Sequence, residues 1–329
     1  MSDHSSQTRL FRSGGLYALA FRFGTFADAK DRASSPLDGL LRDTLTPSLV
    51  RIVSQILKIF LDETAEAWHN SPVNLLQALI FGIVEGITEF LPISSTGHLM
   101  LTARALDLSQ TEFLKTFEIA IQLGAILSVI VLYWRSLLVN FEIFKRVVAA
   151  FIPTAVLGLL FYKIIKQFLM GSNAIVLWSM FIGGICLIVF ELLHREKDDA
   201  VEDLSVIPYR TSFLIGLFQS IAMIPGVSRS AATIVGGLIL GLRRKAIVEF
   251  SFLLAIPTML AATGLDLVKN VSAFSTAQIG SLAIGFVLSF VFAMLSVKFL
   301  LNFIQRHTFI GFGVYRIVLS VLFWIYLSM

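Results

Sequence analysis

The sequence predicts an all-α polytopic membrane protein built as an inverted-topology repeat, each half a re-entrant broken helix pair plus three transmembrane helices. Three observations carry that expectation. Hydrophobic residues make up 56% of the chain against 15% charged, with a mean hydropathy of +0.83. Six apolar runs are long enough to cross a hydrocarbon core of about 30 Å. Two further segments, about 74–106 and 211–242, are too long for one crossing and hold polar, ionisable and helix-breaking residues between apolar flanks. An ionised group inside a bilayer costs several kcal/mol unless paired or wetted, so these two segments are where the chemistry is sought.

Taken in order, residues 1–70 stand apart. They carry eight Lys/Arg and eight Asp/Glu scattered through weakly apolar sequence, with no run of signal-peptide quality before Asp28. They read as an N-terminal extension, either poorly ordered or holding an interfacial helix over 45–61, where Arg51 and Lys58 interrupt apolar residues at helical spacing. Residues 71–329 form the membrane domain, with halves at about 74–193 and 211–328. In each half a broken segment precedes three crossings: about 114–133, 147–165 and 174–193, then 247–265, 277–300 and 310–328. The broken segments are interrupted at Pro92 and at Pro225-Gly226, and Pro153 and Pro257 mark expected kinks.

The halves also align: Gly82 with Gly216, Glu85 with Gln219, Ser94 with Ser228 and, at a slightly shorter offset, Glu118 with Glu249. If each broken segment enters and leaves by one face, three crossings per half leave the second half upside down. In such folds the broken helices converge on a cavity near the midplane. Loop charges set the orientation, with Arg135, Lys145, Arg195, Arg243, Arg244 and Lys245 among eleven Lys/Arg on one face, against five on the other. The richer face is expected in the cytoplasm, so the first broken segment opens to the outside.

Glu85 and Glu89 lie four apart, which on a helix puts them on one face about 5–6 Å apart. Two anions at that distance repel by roughly 3 kcal/mol at an effective dielectric near 20. Either one keeps a proton or a cation sits between them, and Arg229 or a divalent metal, Mg²⁺ or Ca²⁺, are the candidates. After Pro92, one of Ser94, Ser95 and Thr96 is expected to cap a new helix whose free amides form an anion site. Ser228-Arg229-Ser230 opens a helix in the same way after Pro225-Gly226 and adds a guanidinium suited to a phosphate. His98 is either an acid/base group or a hydrogen-bonded packing residue. Gly82 and Gly86 have the spacing of close helix packing, and Glu118 and Glu249 are expected to support the site or cap helices.

Composition excludes other classes. The net charge of +4 is spread over loops and forms no basic face, so no nucleic-acid partner is expected. Cys186 is the single cysteine, which rules out an intrachain disulfide, and its apolar neighbours suggest a packed, inert thiol.

The stretches Glu85-Gly-Ile-Thr-Glu89-Phe-Leu-Pro-Ile-Ser-Ser-Thr-Gly-His98 and Pro225-Gly-Val-Ser-Arg-Ser-Ala-Ala-Thr233 closely resemble the two signature motifs of the bacitracin-resistance type of undecaprenyl-diphosphate phosphatase. Lys115 to Gly124 and Glu249 to Pro257 resemble the family as well, so the likeness runs from about Leu75 to the C-terminus and leaves out residues 1–70. The resemblance implies hydrolysis of a polyprenyl diphosphate to its monophosphate on the outer side of a bacterial plasma membrane, with a divalent cation. It recycles the lipid carrier of peptidoglycan synthesis and confers bacitracin resistance. The implied site residues are Glu85, Glu89, Ser95, His98, Ser228, Arg229 and Thr233.

With the residue reading beside it, the expected catalytic set is Glu85, Glu89, Ser95, His98 and Arg229. The phosphate-binding set is Ser94, Thr96, Ser228, Arg229, Ser230 and Thr233, and Glu85 and Glu89 are the metal candidates. Attack by Ser95 and by water both stay open, as does assembly into a homo-oligomer; the partners are the lipid substrate and membrane lipids. A competing reading is a transporter or flippase for a phosphorylated polyprenyl lipid, since broken helices in inverted repeats are a transporter architecture. The histidine-nucleophile lipid phosphatases do not fit, because Val235 and Ile239 stand where their histidine and aspartate are needed.

Overall fold

The computed structural model describes residues 73–109, 111–164, 172–270 and 279–328. The N-terminal extension and its expected interfacial helix lie outside the described residues. The described chain is helical: α1 (Leu75–Thr88), α2 (Ser95–Ala105), α3 (Glu112–Leu138), α4 (Phe141–Ile164), α5 (Asn173–Leu193), α6 (Tyr209–Ser220), α7 (Arg229–Ile239), α8 (Arg244–Asn270), α9 (Ile279–Phe303) and α10 (Ile310–Ser328). Six helices are long and apolar enough to cross a membrane, with spans at Phe113–Ser136, Phe141–Ile164, Asn173–Leu193, Arg244–Gly264, Gly280–Phe303 and Ile310–Ser328. Each falls on a crossing expected from hydropathy.

Local sequence sets the helix ends. Asn74 and Gln77 form a reciprocal capping box that starts α1, the Asn74 side chain accepting from the Gln77 amide at 2.9 Å and the Gln77 side chain from the Asn74 amide at 2.8 Å. Thr111 caps α3 and Ser172 caps α5. Both long segments break where expected: α1 stops before Pro92, and α6 gives way to a single 3₁₀ turn, Ile221–Met223, before Pro225-Gly226. Pro153 and Pro257 sit inside helices that continue through them, while the non-helical residue within α3 is Tyr133.

Packing joins the halves. α9 lies on α1 and α3, α4 on α6 and α8, α8 on α3, and α10 on α5. A Cβ at Gly82 or Gly86 would come within 2.6 Å of the carbonyl oxygens of Gly285 and Ser289, so the expected small-residue face does bring the backbones of α1 and α9 together. Gly216 of α6 lies closer still to the Ala150 backbone of α4. Val73 before α1, Ala103 near the end of α2 and Phe113 at the start of α3 share one apolar cluster, which holds the two ends of the first broken segment together. The ends of the second are tied through the 201–207 segment: its Ile207, just before α6, accepts from Arg146 Nε of α4 at 2.6 Å, and its Val201 pairs with Leu242, just after α7.

The main core surrounds the middle of α8, where Phe250, Phe252, Leu253 and Leu254 are buried against Phe90, Leu91 and Ile93 of the first break. Leu159, Leu192, Val318 and Leu322 point outward, as an acyl-chain environment allows. Cys186 does so too; it is exposed on α5 and not packed as its neighbours in sequence had suggested.

Candidate active site

Glu89 terminates α1 and is the hub of the site. Its Oε1 accepts from Arg229 Nη2 at 3.1 Å, and its Oε2 accepts from Ser95 Oγ at 2.5 Å. Both members of the ion pair are largely buried, with side chains 7% and 12% exposed. Charge-assisted bonds in such surroundings are strong and orient both groups. Arg229, the first residue of α7, is held further by the Ser251 carbonyl at 3.0 Å and lies over the Phe90 ring at 5.8 Å. Ser230 adds a second tie between the breaks by donating to the Phe90 carbonyl at 2.9 Å.

The helices that leave the two breaks begin in the same way. Ser94 has φ 74° and Ser228 φ 75°, a left-handed conformation that costs a residue with a Cβ roughly 1–3 kcal/mol. Each side chain accepts the amide three residues on, Gly97 N at 3.4 Å and Ala231 N at 3.2 Å. Ser94 is therefore the cap among the three candidates. The turn starts α2 at the break, and a helix N-terminus is an arrangement that binds anions. Ser95 follows the cap, and Thr96 is exposed.

Glu85 lies one turn before Glu89, fully buried, and neither carboxylate oxygen has a hydrogen-bond partner. Glu89, Glu118 and Arg229 are the charges that act on it. A buried carboxylate without donors is either protonated or matched by a cation. Among the described residues no three His, Cys, Asp or Glu side chains cluster as a ready-made metal cage. A hard cation held by one or two carboxylates and by the substrate's own phosphate oxygens needs no such cage, and the two orphaned Glu85 oxygens fit that role.

The remaining predicted residues divide. Thr233 is buried and donates to the Arg229 carbonyl at 2.9 Å, so its hydroxyl proton, like that of Ser230, is engaged with backbone. His98 is buried beside the first turn, with Nδ1 2.7 Å from the Ser94 carbonyl and Nε2 2.7 Å from the Tyr315 hydroxyl. Glu118 stands near Glu85, as its place in the repeat suggested. Glu249 instead lines a cavity with Arg243, Lys245 and Arg306 at the start of α8.

Arg316 of α10 did not emerge from the sequence. It is completely buried, and its guanidinium donates to five carbonyls: Met180 at 3.2 Å, Ser179 at 3.1 Å, Pro92 at 3.3 Å, Gly226 at 3.0 Å and Val227 at 3.0 Å. One side chain thus ties both breaks to α5. The signal was available, because a lone arginine in the apolar run 310–328 meets the same criterion that singled out Arg229.

The family model described as bacitracin resistance protein BacA matches residues 78–322. An undecaprenyl-diphosphatase of Aquifex aeolicus is 53% identical over 247 residues, covering 75% of this chain and 96% of that protein. An undecaprenyl-diphosphatase of Sulfurihydrogenibium is 51% identical over 76% of this chain and 98% of its own length. One of Wolinella succinogenes is 49% identical over 78% of this chain and all of its own. With the matched region enclosing both breaks, the Glu89–Arg229 pair and Arg316, the chain belongs to the bacitracin resistance protein BacA family.

Proposed function

We propose that this protein hydrolyses undecaprenyl diphosphate to the monophosphate and inorganic phosphate, recycling the carrier lipid of cell-wall synthesis and conferring bacitracin resistance. The observation that carries the reading is Glu89, held between a hydroxyl and a guanidinium where two broken helices meet. That is a base, a nucleophile and a phosphate clamp within one contact shell.

In this mechanism Arg229 and the first amides of α2 hold the diphosphate, and the free hydroxyl protons of Ser94, Thr96 and Ser228 are available to its oxygens. Ser95 Oγ attacks the terminal phosphorus while Glu89 Oε2 takes its proton. A bond forms from Ser95 Oγ to phosphorus, and the bond from phosphorus to the bridging oxygen breaks, releasing the polyprenyl monophosphate. Glu89 passes that proton to the leaving monophosphate oxygen and is a carboxylate again. Water then attacks the phosphoserine phosphorus as Glu89 takes its proton, the bond from phosphorus to Ser95 Oγ breaks, and Glu89 returns the proton to Ser95 Oγ as inorganic phosphate leaves. The short Ser95–Glu89 contact supports serine over direct attack by water. Glu85, with Glu89 beside it, would hold a Mg²⁺ or Ca²⁺ ion, which supplies charge neutralisation on the phosphates when bound.

The inverted repeat belongs to the same reading. Opposite-face entry of the two broken segments is supported by the separate anchoring of their ends, the first in the Val73–Ala103 cluster and the second on the 201–207 loop. The charge asymmetry of the loops supports a plasma-membrane protein whose site opens to the outer side.

The test is phosphate release from undecaprenyl diphosphate by purified protein in detergent, with and without a chelator. Release that stops on chelation and returns with Mg²⁺ or Ca²⁺ is expected. Full activity under exhaustive chelation would remove the metal from the scheme. Lipid movement across vesicles without any phosphate release would replace the hydrolase by a flippase.

A further inference from the structure

We infer that Tyr315 is a positioning residue for the diphosphatase reaction, acting through His98 on the turn that presents Ser95. The inference rests on the hydrolytic reading and begins from proton bookkeeping. A carbonyl oxygen only accepts, so the 2.7 Å contact to the Ser94 carbonyl places a proton on His98 Nδ1. In the neutral ring Nε2 is then a lone pair, and the Tyr315 hydroxyl at 2.7 Å donates to it. The two rings lie parallel, 6° apart in plane with centroids 5.5 Å apart, so the phenol also fixes the tilt of the imidazole. His98 is 8% exposed and both of its nitrogens are engaged. It is therefore not free to abstract a proton from Ser95 in this arrangement, and Glu89 already fills that position.

What the imidazole does instead is clamp the left-handed Ser94. The Ser94 carbonyl accepts the His98 backbone amide at 3.2 Å and the ring Nδ1 at 2.7 Å, so residue 98 holds the turn twice. At the corresponding place in the second break the Ser228 carbonyl accepts the Ala232 amide at 3.1 Å, and alanine has no second donor to offer. The second turn is gripped from outside, through the Gly226 and Val227 carbonyls, by Arg316. Consecutive residues of α10 therefore brace the site, Arg316 directly on both breaks and Tyr315 through His98 on the first. The turn that needs the additional clamp is the one followed by the nucleophile.

The experiment is a double-mutant cycle on the full-length protein in detergent, with undecaprenyl diphosphate as substrate. Tyr315→Phe removes one hydrogen bond and keeps the ring; kcat should fall about tenfold, with KM little changed because the Arg229 clamp is untouched. His98→Ala should fall at least as far. The double variant should then be no slower than His98→Ala by more than about twofold, because a residue acting through His98 has nothing left to act on. Should His98→Ala not fold, His98→Asn serves in the same cycle. Losses that multiply, a Tyr315→Phe enzyme at wild-type rate, or a fast His98 variant beside a slow Tyr315→Phe would each overturn the inference. Failure of the wild type to release phosphate in the same assay would instead overturn the hydrolytic reading.

Discussion

The two breaks share a turn and differ in everything attached to it. Ser94 and Ser228 have matching left-handed backbones and matching caps, yet one turn is preceded by Glu85 and Glu89 and the other by Gln219. Gln219 is as buried as Glu85 but spends its amide protons on Thr154 at 2.9 Å and Thr258 at 3.0 Å. Glu85 has no hydrogen-bond partner on either oxygen. Neutral and largely satisfied on one side, ionisable and unsatisfied on the other, the pair favours the first break as the place for the proposed chemistry. In the proposed mechanism the second break lends its guanidinium and the Ser228 hydroxyl across the junction, and no carboxylate.

The sharpest way to break that comparison is to cut the one ionic link between the breaks. Glu89→Gln and Arg229→Ala should each lower phosphate release by roughly 100-fold or more in folded protein, the usual cost of losing a transition-state charge partner. Arg229→Lys should recover little, since an ammonium lacks the planar fork whose separate nitrogens reach Glu89 and the Ser251 carbonyl. Near-wild-type turnover in Glu89→Gln would remove the base from the mechanism.

A reciprocal pair of substitutions sharpens it. Glu85→Gln should depress activity strongly and shift the divalent-cation requirement to higher concentration, read from a metal titration of phosphate release. Gln219→Leu should leave that titration in place and lower the unfolding midpoint, because the loss is about 1–3 kcal/mol of buried hydrogen bonding and no chemistry. Equal effects of the two on metal dependence would contradict the division of labour. The smallest effect is expected from removing residues 2–68: turnover in detergent should stay close to that of the full chain, since both motifs and all six crossings lie beyond them.

Much of this arrangement was readable beforehand because it is local. Hydropathy marks the six crossings, Pro92 and Pro225-Gly226 mark the breaks, and an i, i+4 spacing marks Glu85 and Glu89 as a coupled pair needing a cation, for which Arg229 was one candidate. What escaped is long-range. Tyr315 and Arg316 reach His98 and Pro92 across more than two hundred residues, and no periodicity in α10 announces which face will meet them. Cys186 failed for a different reason. In a membrane protein the lipid-facing side of a helix is as apolar as its packed side, so composition cannot separate the two. Glu249 matched Glu118 in register, but the register says nothing of the cavity of mixed charge it lines at the start of α8.

Arg316 has a consequence for how the enzyme comes into being. Both motifs precede α10 in the chain, so they leave the ribosome before the guanidinium that satisfies the carbonyls of Pro92, Gly226 and Val227. Until α10 inserts beside α5, those carbonyls lack their buried donor, and the turns ahead of Ser95 and Arg229 keep only their own caps and the ties from Glu89, His98, Ser230 and Ser251. The brace that spans both breaks is therefore the last part of the junction to be completed in biosynthesis, with the insertion of α10.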